Sequence, residues 1–568
     1  MADAAFSLLH DAWLPVRREH GVAGLIRPAE ITASLDDDPV VALDWPRPDL
    51  RVACLEFLIG LLATACPPES TDDDWRPLWE RPPSPERLDE AFAPLAHAFV
   101  LDGDGPRFLQ DIETLAGEAV PVERLLIDTP GENAVKRNSD LLVKRGRVQA
   151  LGRPAAAMAL YALQAFAPAG GAGHRTSLRG GGPLTTLAVP GRREAGRPVP
   201  LWHLLWANVP LGESPAPDDL PTVFPWLAPT RRSDAGGGGT ALDTERAHRL
   251  QAFWGMPRRI RLDFRPAAPG ETCGLTGRED AVMADGFRTR PGGVQYLNAA
   301  SWHPLTPTYT AKPGDPPLAV HPQPDGIGYR HWAGLVAEDG ARSRPAAAVA
   351  DFAGDRNPRT ADPAWHEARL LAAGYDMDNM KARAFVEAEM PLFALNDPAA
   401  RAALFAHARR LARGATEAGR LLRGCVLAAL AERGDTGASP FAGVRERFFE
   451  VTDPPFWEAL RRAREAFEAA PENDLEAERR GWLALLRACA LALFDEAAPL
   501  DPLSPEAAGR LRGGKWVPPA VVEARRTLGV GLAGHGPAGK ALFEALVLPP
   551  PERGKGTEGK GKGRKAKR

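Results

Sequence analysis

Leu404, Ala408, Leu411, Ala415, Ala418, Leu422, Cys425 and Ala429 follow one another at alternating spacings of four and three residues. An α-helix turns once every 3.6 residues, so this spacing lays a single apolar stripe along a helix of about seven turns. Such a stripe must be covered by another element. Phe456, Leu460, Ala463 and Phe467 make a second stripe after Pro454 and Pro455. Leu475, Trp482, Leu486, Cys489 and Leu493 make a third, past Asn473 and Asp474, two good N-cap types. A last helical segment is expected after Pro518 and Pro519. Amphipathic helices joined by short loops bury their stripes most simply as an antiparallel bundle.

Upstream of Leu392 the pattern is mixed. Arg259-Ile260-Arg261-Leu262-Asp263-Phe264 alternates as a half-buried strand does, whereas Pro154 to Phe166 is an alanine-rich helical run ending before Pro168. Glycine- and proline-rich stretches at 167–173, 180–183, 235–239 and 312–324 separate such pieces. Compact domains seldom carry so many irregular connections without using some of them. The reading is α+β: a mixed α/β N-terminal domain over 1–392, an all-α helical bundle over 393–550, and a disordered basic tail over 551–568. The tail holds eight bases against two acids and nothing apolar to bury.

Removing that tail's net +6 from the overall charge of −3 leaves −9 on the rest of the 568 residues. A uniformly basic, histone-like coat is excluded, although local basic loops are not. The five cysteines, Cys54, Cys66, Cys273, Cys425 and Cys489, are scattered without CxxC spacing, so neither a disulfide scaffold nor a four-ligand zinc site is expected. The N-terminal residues lack a signal-peptide pattern. The most apolar early stretch, Leu55 to Cys66, contains Glu56 and falls well short of the ~20 residues that span a bilayer. A soluble, cytoplasmic protein is expected.

Enzyme signatures are weak. Gly534 to Lys540 fits GxxxxGK, but Ala541 replaces the hydroxyl residue that would hold magnesium, and no apolar strand leads in. His366-Glu367 begins like a zincin helix, yet Leu370 stands where the second histidine belongs. Cys273 opens half a zinc knuckle with Thr276 at the second ligand position, and one soft ligand does not hold zinc. No GxSxG occurs.

Two loops stand out instead. Pro130 to Arg147 carries Lys136, Arg137, Lys144, Arg145 and Arg147, with Asn133, Asn138 and Ser139 as hydrogen-bonding groups. Such a segment can follow a phosphate backbone, or be only a solvated hairpin. Gly170-Gly171-Ala172-Gly173 begins a second stretch that reaches Thr186 with three more consecutive glycines, Gly180 to Gly182. Glycines let another backbone come close, though most such loops are simply turns.

Five segments occur in a telling order: FSLLHDAWLPV (Phe6–Val16), SLRGGGPLTT (Ser177–Thr186), AFWGMPRRIRL (Ala252–Leu262), SWHPLTP (Ser301–Pro307) and AGYDMDNMKAR (Ala373–Arg383). Together they resemble the CasA family, the large subunit of the type I-E CRISPR surveillance complex, Cascade, over about Phe6 to Leu548. The resemblance implies a mixed α/β N-terminal domain, an antiparallel four-helix-bundle C-terminal domain, and a non-catalytic, cofactor-free subunit at the 5′ end of the guide RNA. It implies reading of the protospacer-adjacent motif in duplex DNA from the minor groove, opening of the first base pairs, and docking of a separate helicase–nuclease. The implied partners are the other Cascade subunits, the guide RNA and target DNA, with no membrane.

By position, the resemblance puts the motif-reading glycine loop at Gly170, Gly171, Ala172 and Gly173. It puts the basic finger at Arg288 or Arg290 and the strand-separating wedge at Asn379. The guide-handle loop falls on Asn133, Lys136, Arg137, Asn138, Lys144 and Arg145, and Lys312 matches a basic site for the displaced strand. Some relatives bind zinc near Cys273; the ligand set is missing from this sequence, so no metal is expected.

Overall fold

The computed structural model describes residues 5–140, 143, 145–171, 173–191, 197–233, 241–243, 245–324, 326–338, 342–356, 368–378, 380–393, 395, 397–430, 442–499, 509–512, 515–517 and 519–549. The chain divides into two compact units. The first is Met1–Ile327 with His331–Asn396, and the second is Gly328–Arg330 with Asp397–Arg568.

The first unit is built around helix α1 (Pro48–Ala65). It is apolar on nearly every side, as a helix must be when no face meets water, and all but a few of its residues are buried. Phe57 on α1 takes edge-on contacts from Trp13, Phe99, Phe108, Tyr161 and Trp254, with ring centroids 5.7–6.1 Å away. Edge-to-face packing of this kind adds about 0.5–1.5 kcal/mol per pair beyond the buried area. The alanine-rich helix α2 (Arg153–Phe166) packs on α1. No helix among the described residues is long and apolar enough to cross a membrane.

Small sheets surround this centre. Strands β1 (Leu14–Arg18), β2 (Ala23–Ile26) and β3 (Val40–Leu43) form an antiparallel sheet with β1 in the middle. Strand β4 (Thr185–Val189) is set aside for a second sheet, described below. Strands β5 (Arg259–Pro266) and β6 (Val282–Arg290) pair antiparallel from Arg259 opposite Arg290 to Pro266 opposite Val282. A small antiparallel sheet follows, from β7 (Thr308–Tyr309), β8 (Leu318–Ala319) and β9 (Ser343–Arg344), with β7 central. Strands β10 (Arg369–Asp378) and β11 (Lys381–Pro391) make the longest hairpin, and β4 pairs on the far edge of β10.

The second unit is mainly helical: α3 (Pro398–Leu430), α4 (Ala442–Ala469), α5 (Glu476–Ala497), α6 (Ala520–Leu532) and α7 (Gly536–Ala545). Of the expected α3 stripe, Leu404 to Cys425 is buried and Ala429 is half-buried. Helix α3 touches each of the other four helices. The unit differs from a plain four-helix bundle by the fifth helix and by an antiparallel hairpin, Arg510–Arg512 with Lys515–Val517. Tyr329, from the short segment of this unit, stacks on Phe456 at 4.3 Å and bonds Thr452 through its hydroxyl at 2.8 Å.

Two helix starts differ from expectation. Helix α4 does not begin after Pro454 and Pro455 but runs through them. Proline removes the donors to the Glu450 and Val451 carbonyls, yet Phe448, Phe449 and Phe456 bury aromatic area on both sides and hold the helix together. Helix α5 starts at Glu476 behind Leu475, with no side-chain cap. Asp474 instead pairs at 2.7 Å with Arg479, a nearly buried cation that needs the charge. The tail over 551–568 lies outside the described residues.

Candidate nucleic-acid interface

After α2 the chain turns sharply. Gly170 N–H donates to the His174 carbonyl at 3.2 Å, and His174 N–H donates back to Gly171 at 2.9 Å. Gly171 and Gly173 have φ of +71° and +84°, the left-handed region that residues with a Cβ enter only at a cost. A Cβ on Gly173 would also lie 3.0 Å from Pro291 Cβ. Ala172 lies outside the described residues.

The turn is tied to the end of β6, because Gly292 N–H donates to the Gly173 carbonyl at 3.1 Å. Ser233 holds the same segment, donating its N–H to the Gly292 carbonyl at 3.2 Å and its hydroxyl to Gly293. Arg175 grips Ser233 through Nε to Oγ at 2.9 Å and Nη2 to the carbonyl at 2.7 Å. Beside the turn lies the Arg258 guanidinium. It donates to the Pro168 carbonyl, and its buried Nε has no partner among the described residues. Burial pulls its pKa down to about 10. Burial and the nearby Arg258 also lower the pKa of His174, which keeps that imidazole neutral at pH 7. Exposed Arg231 and Arg232 directly precede Ser233.

Arg288 and Arg290 differ sharply in their surroundings. Arg288 lies 3.4 Å from Asp263 and donates to the Gly117 carbonyl, so its charge is already engaged. Arg290 closes the ladder opposite Arg259; its side chain is exposed and has no hydrogen bond or ion pair among the described residues. Arg259 is nearly buried and pairs with Asp111 at 2.6 Å and Glu113 at 2.8 Å. The glycine turn, Arg175 and the backbone just past Arg290 therefore meet at one place, while the Arg290 guanidinium lies beside Gly117, 3.6–3.8 Å from where a Cβ would stand there. Sequence reasoning assigned no role to Arg175, Arg258 or Ser233, because their contacts join residues 58 to 90 positions apart.

The basic loop is folded on itself. Residues Glu132–Lys136 form one helical turn, and Asn133, Lys136, Arg137 and Asn138 are exposed. Arg145 is clamped by Asp140 through Nε at 2.7 Å and Nη2 at 2.8 Å, and Nη2 also reaches Asn138 Oδ1 at 3.1 Å. The Arg145 hydrogen bonds in turn hold the Asp140 carboxyl below its ordinary pKa. Lys136 and Arg137 thus keep their charge for solvent or a ligand, whereas Arg145 and Asn138 shape the loop. Lys144 lies outside the described residues.

Asn379 also lies outside them, but its flanks are described: Asp378 ends β10 directly opposite Lys381, the first residue of β11. Met380 beside it is exposed. Lys312 is exposed in the turn between β7 and β8. Cys273 is buried, and no cluster of His, Cys, Asp or Glu placed to hold a metal occurs among the described residues. His366 and Glu367 lie outside those residues. Gly534 to Lys540 forms the turn from α6 into α7, helix to helix, where a phosphate-binding loop would need a strand.

Three of the five quoted segments meet at one buried ion pair. Arg179 of SLRGGGPLTT donates from Nη2 to both carboxylate oxygens of Glu56 on α1, at 2.9 and 2.8 Å. Arg179 Nη1 also reaches Thr185 at 3.2 Å and Thr306 of SWHPLTP at 3.0 Å, and Thr185 donates to Glu56 at 2.5 Å. His303 of SWHPLTP lies 3.9 Å from Glu56 and packs on Phe253 of AFWGMPRRIRL. Burial, then Arg179, hold His303 well below its usual pKa, so it is neutral.

The fold is that of several solved structures. Cse1 from Acidimicrobium ferrooxidans superposes with a TM-score of 0.60 at 20% identity, covering 96% of this chain and 98% of that one. Cse1 from Thermobifida fusca gives 0.61 at 18% identity, over 95% and 98%. A chain of a structure titled "CRISPR RNA-guided surveillance complex" gives 0.64 at 16% identity, over 93% and 99%. The profile of the family described as CRISPR-associated protein Cse1 matches residues 7–493. This extent agrees with the order of the five segments, and the chain belongs to the Cse1 (CasA) family.

Proposed function

We propose that the chain is the large subunit of a type I-E guide-RNA surveillance complex. In this reading it recognises the protospacer-adjacent motif in duplex DNA from the minor groove, opens the first base pairs and docks the helicase–nuclease. It performs no bond-breaking step and uses no cofactor. Its partners are the other Cascade subunits, the guide RNA and target DNA.

The observation that carries the reading is the tether between Gly173 and Gly292, which joins the glycine-rich turn to the chain two residues past Arg290, an exposed arginine whose side chain has no hydrogen bond or ion pair among the described residues. A narrow groove admits backbone and extended arginines, and its negative potential favours the cation. Minor-groove edges distinguish mainly A·T from G·C, so tolerance of several related motifs is expected. Guide pairing reads the remaining sequence, and a wedge at Asn379 offsets part of the ~1.4 kcal/mol mean stacking at the first step. Lys136 and Arg137 are the handle-loop bases left for RNA phosphates in this reading, and Lys312 serves the displaced strand.

The test is binding of matched and motif-scrambled duplexes by the assembled complex. Arg290→Ala should lose discrimination between them. Retained discrimination in that variant, together with normal strand opening in Asn379→Ala, overturns the reading. A second reading, a scaffold without direct DNA contact, draws support from the internal clamp between Arg145 and Asp140. It requires Lys136→Gln with Arg137→Gln to leave nucleic-acid affinity and its salt slope unaltered.

A further inference from the structure

One guanidinium in the first unit holds two distant parts of the chain together. Arg47, the residue before α1, is half-buried and forks between two carboxylates. Toward Asp49, in the first turn of α1, Nε donates at 3.0 Å and Nη2 at 2.8 Å. Toward Asp128, Nη2 donates at 3.0 Å and Nη1 at 3.3 Å. A planar guanidinium meets two carboxylates in a fixed geometry, which a freely rotating ammonium does not impose.

Each carboxylate stands at the root of one element of the proposed interface. Asp49 is buried and also accepts the hydroxyl of Tyr375 on β10. Burial, then the Asp49 charge, raise the Tyr375 pKa, so the phenol keeps its proton and donates. Tyr375 packs edge-on against Phe385 across the ladder at 4.9 Å and stands three residues before Asp378, where β10 ends. A second tie from α1 reaches the other strand, because Arg51 donates to both carboxylate oxygens of Glu387 on β11. Asp128, for its part, stands two residues before Pro130, where the basic loop begins. Beside it Glu123 gathers both ends of that loop. Its carbonyl accepts from Thr129 Oγ1 at 2.6 Å, and its carboxylate accepts from the Gly146 N–H at 2.8 Å.

We infer that Arg47 is a positioning residue that fixes the spacing between the strand-separating hairpin and the guide-handle loop. The inference rests on the duplex-opening reading above. In that reading the target strand released at the hairpin is taken up by the guide, whose end the loop holds. The two elements must then keep one spacing, since a displacement of about 1 Å in such an arrangement can cost on the order of a hundredfold in rate. The Arg47 donors are engaged by Asp49 and Asp128, so it acts through them and not by binding phosphate.

The test is the rate of strand opening by the assembled complex on a matched duplex, read from 2-aminopurine fluorescence in the first target pair. Arg47→Met should slow opening about tenfold. Tyr375→Phe, which keeps the ring and removes only the hydroxyl, should slow it about threefold. A target already unpaired over its first bases should engage Arg47→Met within about twofold of the unaltered rate, which a merely unstable subunit would not do. Adding Asn379→Ala to Arg47→Met should slow opening by less than the product of the single effects. Normal opening in both Arg47→Met and Tyr375→Phe, or an undiminished Arg47→Met defect on the pre-opened target, overturns the inference. Normal opening in Asn379→Ala overturns the duplex-opening reading itself; slow opening there beside normal opening in Arg47→Met overturns this inference alone.

Discussion

Arg179 and Glu56 form a doubly bonded ion pair with side chains 1% and 0% exposed, joining a glycine-rich segment to the central helix of the first unit. Removing one partner of such a pair leaves a buried charge, at a cost of about 3–5 kcal/mol, whereas replacing both with apolar residues costs less. Arg179→Met and Glu56→Gln should each lower the denaturant midpoint of the first unit markedly. The double variant Glu56→Leu with Arg179→Met should be more stable than Arg179→Met alone. A strictly additive double variant contradicts this account.

Arg290 and Arg288 should separate on paired DNA. Arg290→Ala should reduce the salt slope of duplex binding by up to about 1, the contribution of one cation held in the negative potential of the groove. Arg288→Ala should change the slope less, since Asp263 and the Gly117 carbonyl already engage that side chain. Titrating affinity against salt for both variants checks the order; the reverse order would reassign the finger.

The glycine turn yields a graded pair of substitutions. Gly171→Ala meets open space but a φ of +71°, a strain of about 1–2 kcal/mol. Gly173→Ala adds a contact with Pro291 to a φ of +84°. Target capture by the assembled complex should fall for both, and further for Gly173→Ala, while thermal unfolding moves only slightly.

His407 in the second unit is buried with both ring nitrogens unpartnered among the described residues, and burial, then Arg479 and Arg410, pull its pKa from 6.5 to about 4. Glu478 and Asp474 oppose the shift only weakly. The unfolded chain therefore binds the proton first. Stability supplied by the neutral ring is complete above about pH 6.5 and is lost as pH falls toward 4. Denaturant unfolding of the helical unit at pH 7, 5.5 and 4.5 should show this slope, and His407→Leu should flatten it.

Much of the helical unit was legible, because the period of α3 is written in residues that are neighbours along one chain segment. The strand Arg259–Pro266 and the helix Arg153–Phe166 were legible for the same reason. The run through Pro454 and Pro455 was not, since local rules stop a helix at proline while the burial of Phe448 and Phe456 continues it. Glu56 looked like an interruption of an apolar stretch; its reason is Arg179, 123 residues away. The same holds at the interface. Sequence order marked the glycine loop and both candidate arginines, but only the contacts of Arg288 with Asp263 and the Gly117 carbonyl distinguish it from Arg290.

The bond between Gly173 and Gly292 also has a mechanical meaning. A glycine-rich turn has little stiffness of its own, and here it borrows rigidity from the segment that leaves the end of a β-ladder. Lifting the turn pulls on Gly292, two residues past Arg290, so under the proposed function the turn and its neighbouring cation move as one part. A ligand that fits one part is gauged by the other, as between the jaws of a caliper.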